Sequence, residues 1–131
     1  MAIYVTRKVD RAFSKSELHD DDLCLAANEV MAGKYEANLG GGVIKKRLPL
    51  KAGKSGGART IIFFKTGKHL FFADAWKKSS TSSAKREIED DELATYKDLA
   101  KEFFRYDLTL LLRLISNKFL REVTCNGGKS A

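Results

Sequence analysis

Positive charge is concentrated in the middle of this chain, on segments that also have the character of β-strands. Residues 33 to 86 contain thirteen Lys or Arg and only two acids, so this stretch carries +11 in a protein of net charge +7. Two runs rich in β-formers, Gly42–Leu50 and Ala58–Lys65, are joined by a loop of glycine and lysine. The pattern predicts a basic stripe on a sheet, which is typical of proteins that bind nucleic acid. The alternative, a solvated surface that confers only solubility, is less favoured because so many charges of one sign lie together.

Size and composition predict a single domain over residues 1–131, with a frayed tail at about 126–131. The chain is 44% hydrophobic and 31% charged, as in globular proteins and unlike disordered ones. No apolar run is long enough to span a membrane, and the N-terminus has no secretory signal, so we expect a cytoplasmic protein. Cys24 and Cys125 fit ordinary thiols in a reducing compartment, although the sequence leaves a disulfide between them open.

The hydrophobic pattern predicts a compact α/β or α+β domain. Residues 3–13 favour a first strand, and apolar residues at helical spacing predict a helix over about 20–32 that Gly33 ends. A three-stranded antiparallel meander should follow, formed by the two basic runs and by Leu70–Trp76. A helix is then expected from Glu89 and a last strand over Phe119–Thr124. Between them, a second helix over Asp107–Ser116 is expected to turn four apolar residues inward, namely Leu108, Leu111, Leu112 and Ile115.

Several familiar catalytic motifs are absent from the sequence. The segment Gly53–Ser55 resembles the end of a phosphate-binding P-loop, but that motif needs a glycine where this chain has Leu48, and a helix where a strand is predicted. The cysteines and histidines lack the spacing of zinc ligands. Asp74 has no acidic neighbour for paired-carboxylate chemistry. We therefore expect neither a metal nor another cofactor.

Lysine and arginine remain as the candidate catalytic groups. Phosphodiester cleavage builds negative charge in its transition state, which an arginine stabilises, while a lysine can transfer a proton. On RNA the substrate's own 2′-hydroxyl can attack, so no protein nucleophile is needed. Side chains alternate along a strand, so Lys45 and Lys46 cannot both face the same groove. Trp76 fits a core position better than a base-stacking platform, although stacking on aromatic residues is a normal way to hold RNA.

Five segments carry a recognisable family pattern. They are GGGVIKKRL at Gly40–Leu48, GKSGGARTII at Gly53–Ile62, Phe71–Lys78, Asp90–Leu93 and Lys97–Glu102. Together they resemble the RelE/ParE toxin superfamily over about residues 3 to 124, and most closely the RelE-type (HigB-like) toxins of bacterial type II toxin–antitoxin systems. The resemblance implies a RelE-like α+β fold, a twisted antiparallel sheet of about three to four strands with helices packed on one face. It also implies an mRNA endonuclease that cuts in the ribosomal A site and is neutralised by a cognate antitoxin.

The resemblance further implies the candidate site residues. Arg59 matches an arginine that contacts the scissile phosphate, and Lys45 and Lys46 match a basic strand that supplies the general base. The catalytic candidates are Arg59, Lys46, Lys45 and Lys78. The candidates for binding RNA or phosphate are Arg47, Lys54, Lys77, Arg86 and Trp76.

Two other functions stay open at this stage. One is a ParE-like inhibitor of DNA gyrase, which would bind its target without cleaving RNA. The other is a toxin without catalytic activity that still binds an antitoxin and DNA. Two departures from the family pattern motivate the second: Ala58 replaces a usual aromatic residue, and Ser79–Ser83 stands where Asn-Glu-Arg is common.

Overall fold

A computed structural model of the chain describes residues 2–50, 57–77 and 88–125. Its elements are β1 (Ile3–Thr6), α1 (Arg7–Ala12), α2 (Asp20–Met31), β2 (Ala37–Gly40), β3 (Val43–Leu48), β4 (Ala58–Phe63), β5 (Leu70–Lys77), α3 (Asp90–Phe104), α4 (Leu108–Ser116) and β6 (Leu120–Glu122). The strands form one sheet in the order β2-β3-β4-β5-β1-β6. All neighbouring strands are antiparallel except β1 and β5, which run parallel.

The predicted α+β class and the basic meander β3-β4-β5 are confirmed, but the sheet is larger than expected. It has six strands in place of three to four, and helices cover both of its faces rather than one. Ile62 and Phe72 pack with residues of α1 and α2 on what we call the α2 face. Ile61 and Phe71 pack with residues of α3 and α4 on the opposite, α3 face. Because β4 and β5 are apolar on both sides, each face needs its own layer of helices.

The N-terminal strand is shorter than predicted because a helix cap interrupts it. The Thr6 hydroxyl accepts a hydrogen bond from the Val9 amide and starts α1. The helix predicted over about 20–32 is confirmed as α2, with His19 as its N-cap, and the Asp22 carboxylate accepts a bond from the His19 amide. Gly33, at φ +85°, follows the end of α2 in the left-handed conformation that glycine adopts without strain.

The C-terminal segment is fastened to the α2 face by two cross-links. The Arg121 guanidinium donates two bonds of 2.9 Å to Asp10 and a third to Asp20, and these carboxylates raise the pKa of Arg121. Cys24 of α2 and Cys125 form a disulfide, so the expectation of two ordinary thiols is wrong and the alternative that the sequence left open is correct. These cross-links join the last described residues of the chain to its first two helices.

Helix α4 differs from expectation in the direction of its leucines. Leu111 is buried, but Leu108 and Leu112 are 68% and 57% exposed, so the prediction that they face inward is wrong. Residues four apart lie on the same side of a helix, and the side carrying Leu108 and Leu112 points away from the sheet. Among the described residues, no helix is long and apolar enough to cross a membrane.

Candidate nucleic-acid interface

Three strands of the meander bring a set of basic and aromatic side chains onto the α3 face. Arg47 of β3 lies directly opposite Arg59 of β4, and Arg59 lies directly opposite Trp76 of β5. Lys45 is two residues before Arg47 on the same side of its strand. We call these four residues, Lys45, Arg47, Arg59 and Trp76, the basic face.

The two arginines of the basic face form a like-charged pair across neighbouring strands. Adjacent strands lie about 4.8 Å apart, and like charges directly opposite each other are destabilising. Arg47 is exposed and Arg59 is half-buried, so both guanidinium groups are near solvent. An anion bound over the pair would relieve the repulsion, and a guanidinium can grip a phosphate with two parallel hydrogen bonds. The arrangement therefore suits a phosphate group.

Trp76 extends this surface with an aromatic ring. It is partly buried and packs against the core cluster of the α3 face. This agrees with the core position favoured by the sequence, and the strand register places Trp76 directly opposite Arg59. A partly buried indole beside cations can stack on a base with its exposed part while its neighbours hold the backbone.

Lys46 lies on the α2 face and is buried. Its ammonium is 2.7 Å from a Glu29 carboxylate oxygen and donates a hydrogen bond of 3.0 Å to the Lys34 carbonyl. Its side chain is only 9% exposed. Lys46 is therefore bound to α2 on the side of the sheet opposite Arg59, and the structure does not bring it together with the other described catalytic candidates.

Alanine substitution of the two lysines should affect different properties, stability for Lys46 and RNA cleavage for Lys45. Lys46→Ala removes a buried charge-assisted hydrogen-bond network and should lower the free energy of unfolding by about 1–3 kcal/mol in a urea titration. Lys45→Ala should leave that free energy nearly unchanged and reduce RNA cleavage per folded molecule by about 100-fold or more. Equal loss of cleavage in two equally stable variants would contradict this assignment.

The other candidates do not join the basic face. Lys77 lies opposite Ala58 on the α2 face, where its ammonium is 2.7 Å from a Glu17 oxygen, so an RNA contact beside Trp76 is not supported for this residue. Three further candidates fall outside the described residues, namely Lys54, Lys78 and Arg86.

Because of the ion pair between Lys77 and Glu17, the stability of the fold should vary with pH in the acid range. Hydrogen bonds from Lys77 and from the Ser14 amide lower the pKa of Glu17 below its usual 4.5. A lowered pKa stabilises the fold above pH 4.5, and this contribution is lost as the pH falls through the pKa of the folded state. Urea titrations should therefore show Glu17→Gln less stable than wild type above pH 4.5, with the difference shrinking at lower pH. A difference independent of pH would contradict this.

The residue before Arg59 does not alter the basic face. Ala58 is fully buried on the α2 face, on the other side of the strand from the Arg59 side chain. Gly57 precedes it at φ +59°, and a Cβ there would collide with the Leu48 carbonyl oxygen. The small residues at this point allow β3 and β4 to pair as far as Leu48 and Ala58.

A comparison with protein families identifies the chain. The model described as the RelE toxin of the RelE/RelB toxin–antitoxin system matches residues 1–123, nearly the whole chain. The chain belongs to the RelE toxin family. A RelE toxin of such a system has a cognate antitoxin as its partner, and RelE family toxins are generally endoribonucleases. Comparisons with curated proteins and with solved structures found no match.

This RelE toxin also has a polar cluster next to the basic face that the sequence did not predict. Asp74 lies opposite Ile61 on the α3 face, two residues before Trp76. Its carboxylate accepts a hydrogen bond from the Tyr96 hydroxyl of α3 and lies 3.1 Å from the Lys8 ammonium of α1. The one signal in the sequence was that Asp74, two residues before Trp76, interrupts the otherwise apolar run Leu70–Trp76.

Proposed function

We propose that this RelE toxin is a ribosome-dependent mRNA endonuclease, an mRNA interferase that cuts mRNA in the ribosomal A site. It would act in the cytoplasm, and its cognate antitoxin would neutralise it. The observation that carries the proposal is the pair of arginines directly opposite each other on β3 and β4, beside Trp76. Family membership supports the same reaction class, since RelE toxins are generally endoribonucleases.

The proposed reaction uses the nucleophile that RNA itself supplies. The 2′-oxygen attacks the neighbouring phosphorus, the bond from phosphorus to the 5′-oxygen breaks, and a 2′,3′-cyclic phosphate and a 5′-hydroxyl end are formed. Negative charge grows on the phosphoryl oxygens in the transition state. Arg59, half-buried on the sheet, is a preorganised donor for that charge, and Arg47 beside it adds a second. Neither a metal nor another cofactor is required.

Lys45 is the residue that we assign to proton transfer. It lies on the α3 face with Arg47 and Arg59, and it is partly exposed. Lys45 would take up the proton of the 2′-hydroxyl, and water or a second donor would protonate the departing 5′-oxygen. Trp76 would hold a base of the mRNA by stacking, which fixes the phosphate over the arginines.

Induction of the chain without antitoxin tests the proposed function in cells. We expect growth arrest together with new 5′ ends of mRNA that lie within codons and in frame. Growth arrest with intact mRNA and a DNA damage response would instead indicate a gyrase inhibitor. Neither arrest nor cleavage would indicate a toxin that lacks catalytic activity.

A further inference from the structure

Lys8 contacts the α3 face on the β1 side of Trp76, whereas the arginines lie on its β4 side. The parallel pairing of β1 with β5 brings Thr6 beside Ala73, whose carbonyl accepts a 3.0 Å hydrogen bond from the Thr6 hydroxyl. Helix α1 starts at the next residue, so its first turn lies beside the end of β5. Lys8 is in that turn, and its ammonium is 3.1 Å from Asp74.

The buried Asp74 carboxylate does not depend on Lys8 for its hydrogen bonds. Asp74 already accepts bonds from the Tyr96 hydroxyl at 2.5 Å and from the Ala75 amide at 2.8 Å. The Lys8 side chain is 70% exposed, and ion pairs with a partner so exposed add little stability. An ammonium has three donors, and the Asp74 contact uses one of them. The pair therefore places an exposed ammonium beside Asp74, with donors left for another partner.

That place gives Trp76 a cation on each side. Arg59 lies opposite Trp76 on β4, about 5 Å away between strands. Lys8 approaches from the other side of β5, at Asp74, which is about 7 Å along the strand from Trp76. A base stacked on Trp76 has backbone phosphates on both of its sides. One would lie toward the arginines and the other toward Lys8.

We infer that Lys8 is a further RNA contact, which binds the backbone phosphate on the β1 side of Trp76. The inference rests on the proposed function and extends the RNA path from β3 across the sheet to α1. Each phosphate neutralised on a single strand contributes about 0.7 to the slope of log K against log salt. The number of such contacts can therefore be measured.

The test is the salt dependence of binding to a fluorescein-labelled single-stranded RNA oligonucleotide, followed by anisotropy. Lys8→Gln should reduce the slope by about 0.7, because the amide can still donate to Asp74 but carries no charge. Lys8→Arg keeps the charge and should keep the slope. Lys68→Gln is the matched control, since Lys68 is exposed in the β4–β5 turn at the far end of the sheet, and its slope should equal that of wild type.

The outcomes separate this inference from the proposed function. A wild-type slope in Lys8→Gln, with salt-dependent binding by the wild type, overturns the Lys8 contact alone. Equal losses in Lys8→Gln and Lys68→Gln also overturn it, because the effect would then come from net charge. Absence of salt-dependent RNA binding by the wild type overturns the Lys8 contact as well, whereas the proposed function is overturned only if mRNA on programmed ribosomes stays intact.

Discussion

Arg59→Ala should slow mRNA cleavage on programmed ribosomes by about 100- to 1,000-fold, the usual cost of removing one preorganised donor to a transition-state charge. Arg59 lies directly opposite Arg47 on one neighbouring strand and opposite Trp76 on the other. Among the described side chains it is therefore the one between the second arginine and the aromatic ring. The rate is measured by primer extension at saturating toxin, so that weakened binding does not mimic lost chemistry.

Two variants make the Arg59 result interpretable. Arg59→Lys keeps the charge but loses the bidentate fork, so its rate should lie between those of wild type and Arg59→Ala. Arg113→Ala removes an exposed arginine from α4 and should cleave like wild type. Cleavage at the wild-type rate by a folded Arg59→Ala protein would refute the role given to this residue.

Loss of the disulfide should produce the largest change in stability. Cys24 and Cys125 are 101 residues apart in sequence, so the bond closes most of the chain into a loop. Cross-links of this kind contribute about 2–5 kcal/mol, mainly by restricting the unfolded chain. The double variant Cys24→Ser, Cys125→Ser should lose that amount in urea titrations.

A reductant provides the matched control for the disulfide. Dithiothreitol should lower the stability of the wild type toward that of the double serine variant, and should leave the variant unchanged. Equal stability of the wild type with and without reductant would contradict a stabilising cross-link. Retained RNA cleavage by the variant below its unfolding transition would show that the bond supports the fold and not the chemistry.

Local signals in the sequence were sufficient for the meander and for α2, α3 and α4, whereas α1 lies where a strand was predicted. The acids at Asp20–Asp22 and the glycine at Gly33 bracket α2, and Pro49 follows the last residue of β3, where its missing N–H would break the ladder. The helices predicted to start at Glu89 and Asp107 are α3 and α4, and these two residues are their N-caps. These features depend on neighbours in sequence, so periodicity and capping rules find them.

Long-range contacts decided what the sequence left open. The alternation of side chains along β3 predicted that Lys45 and Lys46 lie on opposite faces of the sheet. It did not predict which of them faces α2, because that depends on where Glu29 lies in the folded chain. Likewise, Lys8 joins the α3 face only through the parallel pairing of β1 with β5. Pattern reasoning also could not tell that Leu108 and Leu112 stay exposed, since an amphipathic helix does not reveal how wide a stripe its partner covers.

Cleavage of a defined mRNA by the purified chain, with and without ribosomes stalled at a known codon, tests the central claim most directly. We expect a cut in the A-site codon only when ribosomes are present, and no cut when the nucleotide on the 5′ side of that position carries a 2′-deoxy sugar. Intact mRNA on programmed ribosomes, or efficient cutting of the 2′-deoxy substrate, would contradict it.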